Sequence, residues 1–135
     1  MSFATEEQEL TTGSRPGVFD LTSRLAEFCR DRGDGLATVF VPHATAGVAI
    51  IEVGAGSDDD LLAAIVDLLP EDDRWRHAHG SPGHGRDHIL PAFISPSITI
   101  PVMAGRPTLG TWQSVVMVDT NRDNTHRRVR FSFLG

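Results

Sequence analysis

Five short runs rich in β-branched and apolar residues constrain this chain more than anything else in it. They are LATVFVP (Leu36–Pro42), VAIIEV (Val48–Val53), SITIPVM (Ser97–Met103), TWQSVVMVDT (Thr111–Thr120) and HRRVRFSFL (His126–Leu134). Each is bounded by glycine, proline or small polar residues and reads as a strand. The first two are apolar on both faces, the pattern of strands covered on both sides. FATEEQELT (residues 3–11) fits an edge strand, and Asn121–Thr125 fits a polar hairpin turn. In the last run Val129, Phe131 and Phe133 share a face with Arg127, while Arg128 and Arg130 take the other face, toward solvent. Arg127 is therefore the arginine expected in a buried ion pair, with Glu52 or Asp119 as its partner. Glu52 itself is out of place inside an apolar strand, where a carboxylate needs a partner.

Between the strands lie two helices and a third short one. Val18–Thr22 leads into the first, with Thr22 as N-cap, Leu25, Phe28 and Cys29 at helical spacing, and Gly33 or Gly35 ending it. Cys29 falls on the apolar face and reads as core. The second runs from about Asp58 to Leu69, with Asp58, Asp59 and Asp60 where the helix dipole favours acids, and Pro70 stopping it. The third starts near Gly85 or Arg86, includes His88, Ile89 and Leu90, and is limited by Pro91. Ala104–Gly110 reads as a turn. Strands outnumber helices without strict alternation, which predicts an α+β protein with mostly antiparallel sheets. The 135 residues suit one domain, spanning 1–135, and no linker, repeat or low-complexity segment interrupts them.

Composition narrows the function. The formal net charge of -6 argues against nucleic acid or an anionic membrane as the main partner. A single cysteine allows no intrachain disulfide and suits a reducing cytoplasm. The polar, acidic first residues are unlike a signal peptide, and no apolar run approaches the ~20 residues that span a bilayer. All 12 basic residues are arginine. With no lysine there is no Schiff-base or pyridoxal-type chemistry and no Walker phosphate loop.

Chemistry concentrates in Arg76–His88, RHAHGSPGHGRDH, which holds His77, His79, His84 and His88 of the protein's 6 histidines. Even scatter would put fewer than about one there. Gly80, Pro82, Gly83 and Gly85 make the stretch a tight loop, and imidazoles ligate metals and move protons near neutral pH. A catalytic zinc-like site uses about three protein ligands and leaves a position open. His43, His77 and His88 offer three neutral nitrogens from three elements. His84 lies four before His88, on the same face if the segment is helical. His77 and His79 would point the same way in an extended segment. Glu52 is a candidate fourth ligand, a carboxylate orienting an imidazole, or a general base. Histidine ligands favour zinc over magnesium, which prefers oxygen.

The motifs HATAGVAIIE (His43–Glu52), WRHAHG (Trp75–Gly80), GHGRDH (Gly83–His88), SITIPV (Ser97–Val102) and GRPTLGTWQ (Gly105–Gln113), followed by RRVRFSF, resemble the YjbQ-like family in order and spacing. The resemblance covers the chain from about residue 6 onward. It implies a β-sandwich of mostly antiparallel strands with two to three helices, assembled as a homotrimer with a pocket near the subunit interface. It implies a histidine-lined site able to hold a divalent metal, and an activity of the secondary thiamine-phosphate synthase type. The matching positions are His43, Glu52, His77, His88, Trp112 and Gln113. Two positions depart from it: Ala44 stands where the family usually has threonine, and His84 where it often has asparagine.

The expected site therefore comprises Glu52, His43, His77 and His88 as catalytic groups, with His43, His77, His88 and His84 as metal ligands. Thr45, Arg86, Trp112 and Gln113 are the substrate contacts; the substrate is a small molecule that can carry phosphate. Trp112 could instead be core or trimer interface. Without lysine, phosphates would need arginines such as Arg86, Arg106 or Arg127, backbone amides and a cation. Whether the protein is an enzyme stays open. A transferase of the thiamine-phosphate synthase type, a metal-assisted hydrolase, a non-catalytic metal- or ligand-binding trimer, and a trimer tuned by histidine protonation all fit the residues.

Overall fold

The structure, a computed structural model, describes all residues, Met1–Gly135. Its strands are β1 (Phe3–Thr11), β2 (Gly17–Asp20), β3 (Gly35–Phe40), β4 (Ala46–Ile51), β5 (Ser97–Met103), β6 (Arg106–Pro107), β7 (Ser114–Asp119) and β8 (His126–Leu134). Its helices are α1 (Thr22–Cys29), α2 (Ser57–Leu68) and α3 (Leu90–Phe93), the last preceded by a 3-10 turn, His84–His88. Five strands form one sheet in the order β1-β8-β3-β5-β6, and three form a second, β2-β7-β4. Every pairing is antiparallel. The α+β class expected from the strand runs, and the two-sheet sandwich that the resemblance implies, are the observed architecture.

Alternation along β7 explains the layering. Val115 and Met117 join the main core, which also takes Ala37, Val39, Ile100, Val102, Val129, Phe131 and Phe133 from the large sheet and Leu25, Phe28 and Cys29 from α1. Val116 and Val118 point the other way, into a second cluster with Ile65 and Leu69 of the α2 segment and Leu90 of α3. β7 is thus covered on both faces, which is why its run is continuously apolar. The same parity places Asp119 on the Val115–Met117 face, toward the large sheet. There it meets Arg127 of β8, which shares a face with Val129 and Phe131.

This pair bridges the two sheets. Arg127 Nε donates to Asp119 Oδ2 at 2.6 Å and Nη2 to Asp119 Oδ1 at 3.0 Å, with both side chains almost wholly buried. Arg127 Nη2 also donates to Thr45 Oγ1 at 2.7 Å, and Asn121 Nδ2 reaches the same hydroxyl at 3.1 Å. A bidentate guanidinium–carboxylate pair with its remaining donors satisfied is the geometry in which a buried charge is tolerated.

Several sequence expectations are corrected. Glu52 lies outside β4 and is exposed, with no hydrogen bond or ion pair, so Asp119 alone is the partner of Arg127. The reason is register: β4 ends where Ile51 pairs with Ser114, the first residue of β7. The same boundary removes Thr111, Trp112 and Gln113 from the strand expected to start at Thr111. Thr22 is the first helical residue, not the N-cap, because β2 pairs with β7 as far as Asp20 and α1 follows at once. The Asp20 carboxylate accepts the Thr22 N–H at 2.9 Å, and the Thr22 hydroxyl accepts the Val115 N–H at 2.9 Å. α1 ends at Cys29, ahead of the glycines expected to stop it. Pro91 sits in the first turn of α3 rather than ending a helix, where its missing N–H costs nothing. Arg106–Pro107 pairs with β5 inside what reads as a turn.

Asp119→Ala would leave Arg127 buried and unpaired. The expected loss is about 3–5 kcal/mol, read as a lower midpoint in urea unfolding; a loss below about 1 kcal/mol would mean that water reaches the pair.

Candidate functional site

The loop that carries the histidines is pinned at its start to the end of α2. The Trp75 indole N–H donates to the Pro70 carbonyl at 2.9 Å. Arg86, 2% exposed, donates through Nη1 to the Leu69 carbonyl at 3.2 Å and through Nη2 to Glu71 Oε2 at 3.0 Å. A cation on the last carbonyls of a helix is favoured by its dipole. Gly85 lets the 3-10 turn close down: a Cβ there would overlap the Trp75 Cβ and the His77 carbonyl oxygen. Sequence reading missed these ties, since it took Arg86 as a phosphate ligand. Its guanidinium is buried and committed to Leu69, Glu71 and the neighbouring Asp87.

Closure of the loop brings four imidazoles together. Ring centroids of His77 lie 4.0 Å from His79, 3.7 Å from His88 and 5.5 Å from His84. His84 Nε2 and His88 Nε2 are 2.9 Å apart. One ring nitrogen from each of His77, His79 and His84 falls in a group within 4.8 Å. His77 Nε2 is buried with no hydrogen-bond partner. A bound ion would take up the lone pair that this nitrogen leaves unused. Three imidazoles at this spacing fit a zinc-like ion and leave a coordination position open. Beside His77 opens a cleft of about 250 Å³, lined also by Glu71, Asp72, Asp73, Trp75, Ala78, Pro82 and Gly83.

The remaining sequence candidates lie apart from this group. His43 accepts the Arg128 backbone N–H on Nε2 at 2.9 Å, so that nitrogen's lone pair is in use and the neutral ring carries its proton on Nδ1. Thr45 is buried, its hydroxyl held by Arg127 and Asn121. Trp112 is 72% exposed on the turn before β7. Gln113 Oε1 accepts the Gly110 N–H at 2.7 Å and closes that turn. Glu52 has no contact with the histidines among the hydrogen bonds and ion pairs of the chain. His79, left out of the expected site in favour of His77, nevertheless joins the group beside it. Asp87 and Asp123, both near His84, went unnoticed in the sequence; the only local signal was the i,i+3 spacing of His84 and Asp87.

Burial holds His77 and His88 below the ordinary histidine value, with the neighbouring imidazoles adding to the effect. His43 is lowered by burial and then by Arg127 and Arg128. The folded protein therefore keeps these rings neutral at pH values where the unfolded chain, with histidines near 6.5, binds protons. That difference makes stability complete above about pH 6.5 and lost progressively as pH falls below it. Melting temperature should be level from pH 8 to 7 and drop between pH 6.5 and 5. The His77→Gln/His88→Gln variant should show a shallower drop, and a flat wild-type profile would contradict the burial of these rings.

Comparison with known proteins agrees with the architecture. The model of the "UPF0047 protein YjbQ-like" family matches residues 6–135. A UPF0047 protein of Mycobacterium bovis is 63% identical over 121 residues, covering 90% of this chain and 94% of the relative. A solved structure of a hypothetical protein from Aeropyrum pernix K1 is 32% identical, with a TM-score of 0.86 and 98% of each chain covered. A protein of unknown function from Sulfolobus solfataricus P2 shares the fold at a TM-score of 0.91 and 21% identity, covering 99% of this chain and 98% of its own. With this match along nearly its whole length, the chain belongs to the YjbQ-like UPF0047 family.

Proposed function

We propose that the histidine loop is a divalent-metal centre serving metal-assisted chemistry on a small molecule. One observation carries this reading: nitrogens of His77, His79 and His84 lie within 4.8 Å of one another, beside a buried His77 Nε2 without a partner. An all-nitrogen set suits zinc better than magnesium. His77 and His84 are retained from the expected ligand set, His79 joins them, and His88 stands next to the set rather than His43. A bound ion of this type supplies a water of lowered pKa or polarises a carbonyl. Trp75 and His77 would form the wall against which a substrate in the cleft is oriented. His88 would hold or accept a proton at the Nε2 that faces His84.

Charge in the cleft does not select the substrate: of Glu71, Asp72 and Asp73 in its lining, Glu71 is paired with Arg86 and Arg122 and Asp72 with Arg74. The ligand chemistry does, because an all-imidazole set supports zinc-type hydrolysis of a neutral or carbonyl substrate over the thiamine-phosphate synthase-type reaction, in which pyrophosphate is displaced and magnesium with its oxygen ligands is the better partner. A non-catalytic metal- or ligand-binding module is the second reading. It is favoured by the placement of Glu52, exposed in the single chain and without a bond to the histidines, which leaves the cluster without a carboxylate base of its own chain at that position.

We also propose the homotrimer. Its support is an uncharged groove on the outer face of the large sheet, about 220 Å³, lined by Phe3, Leu36, Thr38, Thr99, Ser132, Phe133 and Leu134. Phe3, Leu36 and Leu134 are exposed in the single chain, and apolar patches of this kind mark protein contacts.

Elemental analysis of untagged protein purified without added metal should find about one zinc-type ion per chain, absent from His84→Ala and His77→Ala. Apo protein that takes up no zinc on titration would remove the metal centre. Light scattering should give three times the 14.6 kDa chain mass, and Leu36→Arg should give the single-chain mass; a wild-type monomer would rule the trimer out.

A further inference from the structure

Two carboxylates stand against the histidine cluster on the side away from His88. His84 is 7% exposed. Its Nδ1 lies 3.2 Å from Asp123 Oδ2 and 3.3 Å from Asp87 Oδ2; both contacts are close but off the line of a well-formed hydrogen bond, and nothing else reaches this nitrogen. A lone pair facing two carboxylate oxygens would be repelled by both, whereas an N–H there is attracted by both. The proton belongs on Nδ1. Nε2, 2.9 Å from the Nε2 of His88, is then the nitrogen presented to the other imidazoles.

We infer that Asp123 and Asp87 are positioning residues for His84, fixing its Nδ1–H tautomer and ring angle so that Nε2 serves as a metal ligand. The inference rests on the metal-centre reading for the ion that Nε2 takes, and not for the tautomer. A carboxylate behind a ligating imidazole is a recurrent arrangement; it orients the ring and raises the basicity of the ligating nitrogen.

Both carboxylates are themselves held, and by different parts of the chain. Asp87 comes from the same 3-10 turn as His84. Its Oδ1 accepts the Thr120 hydroxyl at 2.5 Å and lies 3.2 Å from Arg86 Nε. Asp123 comes from the turn after β7. Its Oδ2 accepts the Ser81 N–H at 3.1 Å, and its own N–H donates to Asn121 Oδ1 at 2.7 Å. The loop backbone closes over the pair at Gly80. With φ at 85°, a Cβ on Gly80 would come 2.6 Å from Asp123 Oδ2 and 3.2 Å from His84 Cδ2. Glycine alone adopts that conformation freely and leaves that space. A solvent-exposed ion pair formed in passing needs none of these supports.

Asp123 gives the cleaner test, because Asp87 is buried and its loss could disturb folding. Two measurements on the full-length protein separate the claims. Long-range 1H–15N spectra of the metal-free, histidine-labelled protein should show His84 protonated at Nδ1 in the wild type and in Asp123→Glu. Asp123→Asn should show exchange between tautomers. Competition titration with zinc should then show Asp123→Asn binding about 10–100-fold more weakly than wild type, with Asp123→Glu recovering most of the loss. A His84 carrying its only proton on Nε2, or Asp123→Asn with both the wild-type spectrum and wild-type zinc affinity, would overturn the inference. A wild type that takes up no zinc would overturn its ligand half together with the metal-centre reading, leaving the spectrum to decide the tautomer.

Discussion

Much of this molecule depends on the ion pair between Arg127 and Asp119. It joins the last strand of one sheet to the central strand of the other, at the edge of a core made otherwise of aliphatic and aromatic side chains. A buried guanidinium is tolerated only when its donors are satisfied, and Asp119 and Thr45 satisfy them. Asn121 is held in turn by Asp119 and Thr45. Thr120 and Asp123, its neighbours in the same turn, then reach Asp87 and the histidine loop. A charge pair inside the core thus determines where the polar turn beneath the cluster lies.

The cluster is a second, opposite solution to the same problem. Arg127 is charged and fully paired; the imidazoles of His77 and His88 are held neutral by burial and by one another. Neutral rings can stack at 3.7 Å between centroids without repulsion, and their lone pairs stay free for an ion or a proton. The price is an unsatisfied nitrogen on His77. Around the adjoining cleft the charges are paired, Glu71 with Arg86 and Arg122 and Asp72 with Arg74.

His84 links the imidazole cluster to the carboxylates beneath it. An asparagine side chain could also bond to carboxylates, but it would offer no second aromatic nitrogen to its neighbours. With histidine there, the contacts to Asp87 and Asp123 on one side and to His88 on the other run through a single ring.

Local pattern alone determined the strands, because alternation of side chains has a period of two and survives any packing. β1, β5 and β8 lie where their runs predict, Arg127 is on the buried face, and Cys29 is core. The histidine loop was also legible, since four imidazoles among glycines stand out in composition. Tertiary structure decided the rest. The pairing of Ile51 with Ser114 ended two strands at once, turning Glu52 and Trp112 out to solvent. Packing on α2 withdrew Arg86 from solvent, and the backbone of β8 took the Nε2 of His43. Asp123 reached His84 across 39 residues of chain only because β7 and β8 return the turn to the loop. Contacts between residues so distant in sequence leave no periodic trace in it, so the ring nitrogens and carboxylates that make the site could be matched only in the folded chain.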